Sequence, residues 1–248
     1  MLFLMYPALF FSLFGLAFGS FGNVLIYRIP EGRSIGGRSR CPGCRKTLCL
    51  RELIPVLSYL FLRGRCARCR MKISPQYPLV ELASAALFVA AFLHAQTIPR
   101  AIILALILWL LLLIAVSDAR TSLIPDAFNF PLIGLSLVYA LITRTSPVTG
   151  VVTALAFLGG QWSLSRGQWI GSGDILLGIG MGLLLGAWER VLVAMFAAYI
   201  LGALIAVVLL LIRKKTMKDA LPFGPFLVLG TMIALFWGRE ILRLYIPV

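Results

Sequence analysis

Two cysteine pairs, Cys41-Pro-Gly-Cys44 and Cys66-Ala-Arg-Cys69, are separated by twenty-one residues. Each C-x2-C brings two thiolates to one knuckle, and two knuckles at this spacing make a four-thiolate structural zinc site. The bland alternative is two disulfides, which a reducing compartment disfavours. Cys49 lies outside both pairs and is read as a bystander.

Acids are scarce. Of only nine Asp and Glu, three (Asp118, Asp126 and Asp174) fall where apolar runs meet one membrane face. Ionisable groups at that depth are costly and usually functional. Two carboxylates sharing a site cannot both ionise cheaply. One then keeps its proton and acts as acid while the other deprotonates water, which is aspartic-protease chemistry. Gly171-Ser172-Gly173 before Asp174 leaves the backbone open to a substrate strand. The plainer reading is that these residues cap helices, most directly for Asp126 after Pro125.

The elements that must position these groups are set by their solvent. The 248 residues are 60% hydrophobic and 13% charged, with mean hydropathy +0.98, which places the chain in lipid. A bilayer core of about 30 Å takes about 20 apolar residues per helical crossing. Apolar runs at 1–27, 79–95, 101–117, 127–142, 149–163, 175–188, 191–212 and 223–237 predict about eight crossings. The first run has no preceding basic residue and no small-residue cleavage site, so it is not read as a removable signal. The expected fold is an all-α polytopic membrane protein. It comprises a first transmembrane helix over 1–28, a cytosolic four-cysteine zinc-binding domain over 29–78 and a helical bundle over 79–248 that carries both aspartates.

The polar stretch contains twelve Lys or Arg (Arg28, Arg33, Arg38, Arg40, Arg45, Lys46, Arg51, Arg63, Arg65, Arg68, Arg70, Lys72) against Glu31 and Glu52. Threading from an outside N-terminus adds Arg120, Arg166, Arg213, Lys214, Lys215 and Lys218 to the inside, leaving Arg100, Arg144, Arg190, Arg239 and Arg243 outside. Eighteen against five satisfies the positive-inside rule. The net charge of +14 is therefore read as a topology signal and a surface for anionic lipid, not for nucleic acid. Two crossings separate Asp118 from Asp174, so both return to the cytosolic side and can meet. Gly178, Gly182 and Gly186 at four-residue spacing predict a helix buried among its neighbours. His94, near an outer end, is given no role. No internal repeat is apparent.

Gly171-Ser172-Gly173-Asp174 matches the GxGD motif of the type IV prepilin peptidases, and 118–126 (Asp-Ala-Arg-Thr-Ser-Leu-Ile-Pro-Asp) resembles their first-aspartate motif. The likeness continues in 19–30, in the four cysteines, in Ile54-Pro-Val-Leu-Ser58-Tyr59, in 74–81 and in Pro222-Phe-Gly-Pro225. Arg51-Glu52-Leu53 departs from the Asp-Asn-type pair common in relatives. The resemblance implies that Asp118 and Asp174 are the catalytic dyad of a bacterial inner-membrane enzyme. Such an enzyme removes a basic leader from type IV prepilins or pseudopilins and N-methylates the new terminus with S-adenosylmethionine. No glycine-rich methyl-donor loop is visible. Glu31, Glu52 and Glu81 are the acids available to meet a basic leader.

Two other classes compete. A proton-relaying transporter would place acids near the midplane in repeated halves. A non-catalytic anchor would use the aspartates only as caps, each worth about 1 kcal/mol.

Overall fold

The computed structural model describes residues 2–214, 216 and 221–245, so Lys215 and Lys218 of the threading lie outside the described residues. Its helices are α1 (Leu2–Arg28), α2 (Leu57–Phe61), α3 (Gln76–His94), α4 (Ile98–Thr121), α5 (Asp126–Thr143), α6 (Val148–Ala154), α7 (Gly160–Ser165), α8 (Ser172–Leu185), α9 (Trp188–Leu211) and α10 (Gly224–Tyr245). A π-helical turn, Leu155–Gly159, joins α6 to α7, and the three form one span over Val148–Ser165. Among the described residues seven helices are long and apolar enough to cross a membrane, and α8 is a shorter apolar helix. Among the described residues there is no strand, only two isolated antiparallel bridges. The all-helical membrane fold expected from composition is what forms, because in lipid every backbone polar group must be satisfied within the chain.

The chain divides into two compact units, 1–113 and 114–248. In the first, α1 and α3 run antiparallel and touch backbone to backbone. A Cβ on Gly15 would lie 2.6 Å from Ala85 Cα, and one on Gly19 would lie 2.6 Å from Glu81 Cα. This four-residue spacing of small residues is the membrane solution to close approach. Asn23 Nδ2 donates to the Tyr77 carbonyl at 3.1 Å, and the Tyr27 and Tyr77 rings stack at 5.2 Å. Buried Glu81 accepts the Val56 N–H at 2.7 Å. Val56 has φ 61°, an unfavourable region for a β-branched residue. The Glu81 hydrogen bond helps hold it there.

The second unit centres on α8. It lies parallel to α5, with Asn129 bonded to Gly173 at their starts and Thr145 beside Gly186 past their ends. α6 runs antiparallel to α8, so the Gly150 N–H reaches the Gly186 carbonyl at 2.9 Å. The expected glycine face is real in part. Gly178 meets Leu158 and Ala154 of the neighbouring span, Gly182 meets the backbone of Gly150 and Val151, and Gly180 faces Leu132 of α5. Gly186 does not continue the stripe. With φ 76° it ends the helix, a conformation that glycine adopts without the Cβ penalty. α8 also begins at Ser172, ahead of the expected start at 175, because Gly171 adopts the extended conformation of an N-cap.

The α6–α8 seam leaves no room for a side chain. Cβ atoms at Gly150 and Gly182 would fall 2.6 Å and 2.7 Å from backbone atoms opposite. Gly150→Val or Gly182→Val should therefore destabilise the unit by about 3 kcal/mol or more, read as a lower Tm in detergent. Gly134→Ala, with nothing within 4 Å, should be neutral or slightly stabilising. Equal behaviour of all three variants would contradict this packing.

Candidate functional site

The two cysteine pairs form matching knuckles. In the first, the Cys41 N–H donates to the Lys46 carbonyl at 2.9 Å and the Arg45 N–H to Cys41 O at 2.9 Å; in the second, Cys66 donates to Met71 at 2.9 Å and Arg70 to Cys66 at 3.1 Å. Arg45 and Arg70 hold the same left-handed conformation, at φ 55° and 59°. Bridges Arg40–Thr47 and Arg65–Lys72 close the two loops in the same way. The duplication is present in the sequence as Arg-x-Arg-Cys-x-x-Cys-Arg at 38–45 and 63–70, too short to stand out as an internal repeat until the backbone shows the same turn twice.

The loops bring the ligand atoms of Cys41, Cys44, Cys66 and Cys69 within 4.8 Å of one another, with Cys41 and Cys69 Sγ at 3.7 Å. All five cysteines are free thiols, and Cys49 is exposed outside the cluster. Backbone N–H groups of Cys69 and Arg68 point at the Cys66 sulfur and, with its thiol neighbours, lower its pKa to about 6. At Cys69 the Met71 N–H pulls the pKa down, but burial and the other three thiols outweigh it and raise the value to about 11. Four convergent sulfurs, one inclined to ionise, can hold a metal ion.

The second cluster lies in the second unit. Asp118 sits in the last turn of α4 and is 5% exposed. Its Oδ2 accepts the Gly224 N–H at 2.8 Å. A Cβ at Gly224 would lie 2.8 Å from that oxygen, so only glycine lets the start of α10 approach this closely. A carboxylate at a helix C-terminus stands at the wrong end of the dipole, and capping α4 does not account for it. Asp174 is the third residue of α8 and 9% exposed. Its Oδ2 accepts the Gly171 N–H at 3.1 Å, while Oδ1 is buried without a partner among the described residues. The capping role considered from the sequence is thus filled by one oxygen and leaves the other available. The Asp118 charge acts on Asp174, and no ion pair reaches either acid among the described residues.

Asp126 is not buried as they are. It is the first residue of α5 and exposed. Glu31 pairs with Arg33 at 2.9 Å, and Glu52 accepts the Cys49 N–H at 2.7 Å. On α9, Tyr199 packs its ring tilted against Phe223 at 4.9 Å and donates to Gln161 at 2.7 Å, while Gly202 lies beside Phe226. α9 then continues for nine residues to Leu211, about 13 Å at 1.5 Å per residue. The acids are therefore recessed below the end of α9.

Residues 13–95 match the model of the bacterial peptidase A24 N-terminal domain, and residues 105–207 match that of the type IV leader peptidase family. The chain is 33% identical over 276 residues to the prepilin leader peptidase/N-methyltransferase of Aeromonas hydrophila, covering 97% of this chain and 95% of the relative. The Bacillus subtilis protein of the same name is 34% identical, covering 94% and 96%. That of Klebsiella pneumoniae is 41% identical, covering 74% and 88%. The chain belongs to the type IV leader peptidase family. No solved structure matches it.

In this leader peptidase family member the sequence left two supports unassigned. One is the Gly224 N–H, visible beforehand only as part of a Pro-Phe-Gly-Pro resemblance. The other is Asn129, fully buried, whose Nδ2 donates to the Gly173 carbonyl at 3.2 Å ahead of Asp174. A buried amide in an apolar helix was the available signal.

The tetrad predicts a specific loss. Cys41→Ser or Cys66→Ser should abolish stoichiometric metal in elemental analysis of the purified chain, whereas Cys49→Ser should retain it. Equal metal content in all three would remove the tetrad as a metal site.

Proposed function

We propose that the chain is a prepilin leader peptidase and N-methyltransferase whose peptidase site is the Asp118–Asp174 pair. The observation that carries the reading is two buried carboxylates, each with one oxygen on a glycine N–H (Gly224 and Gly171) and neither with a cation among the described residues. Such a pair retains one proton between its members. The ionised member takes a proton from a water that attacks the scissile carbonyl. The protonated member donates its proton to the developing oxyanion, giving a gem-diol. On collapse the member that took the water proton passes it to the leaving amine, and the other recovers a proton from a gem-diol hydroxyl. The glycine N–H groups fix both carboxylates in orientation, and exposed Gly171 and Ser172 are where an extended substrate can lie, Gly173 being packed against Ile124. A transporter reading lacks a repeated half, and a pure anchor reading leaves buried Asp118 unexplained.

The tetrad fits zinc. Tetrahedral Zn–S bonds of about 2.3 Å require sulfurs about 3.8 Å apart, and Cys41 and Cys69 stand at 3.7 Å. A structural metal would supply folding free energy to a segment too small for a self-sufficient core. We assign 1–28 to the first membrane helix, 29–78 to the cytosolic zinc-binding domain and 79–248 to the protease bundle. The protein is placed in the bacterial inner membrane with its site opening to the cytosol, where prepilin or pseudopilin leaders are found. S-adenosylmethionine would supply the methyl group for the new N-terminal amine.

The test is product mass after incubating purified protein with a prepilin, with and without S-adenosylmethionine. Asp118→Asn and Asp174→Asn should each lower cleavage by about a thousandfold or more, while methylation of a pre-cleaved pilin persists. Gly224→Ala should lower kcat with little change in KM, because it displaces Asp118 without touching the leader. Near-normal cleavage by either folded Asn variant would overturn the dyad.

A further inference from the structure

Residues 50–61 of the cysteine domain carry an exposed apolar face. Leu50 is 85% exposed, Phe61 82%, Leu60 62%, Leu57 50%, Ile54 46% and Leu53 36%. Their spacing of three, one, three, three and one is the apolar stripe of an amphipathic helix. Here a single 3₁₀ turn (Leu50–Glu52), a bend and α2 present it. Exposed Arg51, Arg63 and Arg65 flank it. Both acids of the domain are already engaged, Glu52 on the Cys49 N–H and Glu31 on Arg33. The surface is therefore apolar and cationic without internal compensation.

Its depth is fixed by one hydrogen bond. The Val56 N–H, in the middle of the stripe, is held by Glu81 Oε2 at 2.7 Å. Glu81 lies five residues into the membrane helix α3, which begins at Gln76. That is about 7.5 Å below its first residue at 1.5 Å per residue. An amphipathic segment at the interface buries its apolar face about 5–10 Å into the headgroup and acyl boundary. The domain is also tethered on both sides, to α1 and to α3, so the bilayer surface is always near it.

We propose that residues 50–61 form an interfacial anchor that seats Leu57, Leu60 and Phe61 in an anionic lipid leaflet, with Arg51, Arg63 and Arg65 on lipid phosphates. The anchor would hold the metal knuckles flat against the membrane. It uses no property of the aspartates, so it stands or falls independently of the peptidase assignment.

Exposed Cys49, one residue before the stripe and outside the tetrad, is a native reporter. The intact, metal-loaded chain is placed in nanodiscs of phosphatidylcholine, or of phosphatidylcholine with phosphatidylglycerol. Its reaction with a charged maleimide is followed by peptide mass, which separates Cys49 adducts from tetrad adducts. Modification should be about tenfold slower in the anionic discs, and high salt should restore the rate. Leu60→Glu/Phe61→Glu should remove the protection while metal content is unchanged. If that variant loses metal, Leu50→Ser/Leu57→Ser serves in its place. Equal rates for wild type and variant in anionic discs would overturn the proposal, as would equal rates in the two lipids. Protection that appears only with added prepilin, or only with two chains per disc, would assign the face to a polypeptide and overturn it as well.

Discussion

Burying two carboxylates in an apolar bundle, with no cation paired to either among the described residues, is the constraint around which the second unit is arranged. A lone buried charge costs far more than any single hydrogen bond returns. The structure therefore brings backbone N–H groups to the acids. One comes from Gly224 at the start of α10 and the other from Gly171 before α8. Both donors are glycines. At Gly224 this is a steric necessity, because a Cβ would stand 2.8 Å from the Asp118 oxygen. Asp174 remains under-satisfied at Oδ1, and a reactive site keeps such an atom where a stable core would not.

Close backbone approach recurs through both units. Gly15 and Gly19 let α1 meet α3, and Gly150 and Gly182 let α6 meet α8. Lipid gives no hydrophobic drive to helix association, so van der Waals contact and interhelical hydrogen bonds must hold the bundle. The same tight seams keep α8 parallel to α5, and this places Asp174 at the end of the unit where α4 delivers Asp118. A 14-residue helix suffices for α8 because it starts beside Asn129 and ends beside Thr145, within the length of its neighbour.

The cysteine domain solves a different problem. It has no hydrophobic core to speak of: Cys41 and Cys66 are its buried apolar residues, and Leu50, Leu60 and Phe61 are turned outward. Order comes from two hydrogen-bonded knuckles meeting at four sulfurs, and from Glu81 reaching up from α3 to hold a strained Val56. A metal at the sulfurs would take the place that a core occupies in larger domains.

The sequence by itself determined the solvent, the helical class, the cysteine tetrad and the candidate acids. These follow from composition, run length and local spacing, which require no knowledge of distant neighbours. It also implies that Asp118 and Asp174 can meet, because two intervening crossings return the chain to one side. Only the tertiary structure decided what touches them. The Gly224 N–H on Asp118 joins residues 106 positions apart, and Asn129 reaches Gly173 across 44; no local pattern encodes either. The exposure of Asp126 was equally out of reach, since an aspartate after proline at a helix start looks the same whether it is buried or faces water. The four-residue spacing that puts Gly186 in a helical stripe cannot reveal a positive φ. The two knuckles share Arg-x-Arg-Cys-x-x-Cys-Arg at 38–45 and 63–70, but that their hydrogen bonding repeats along with these eight positions is visible only in the structure.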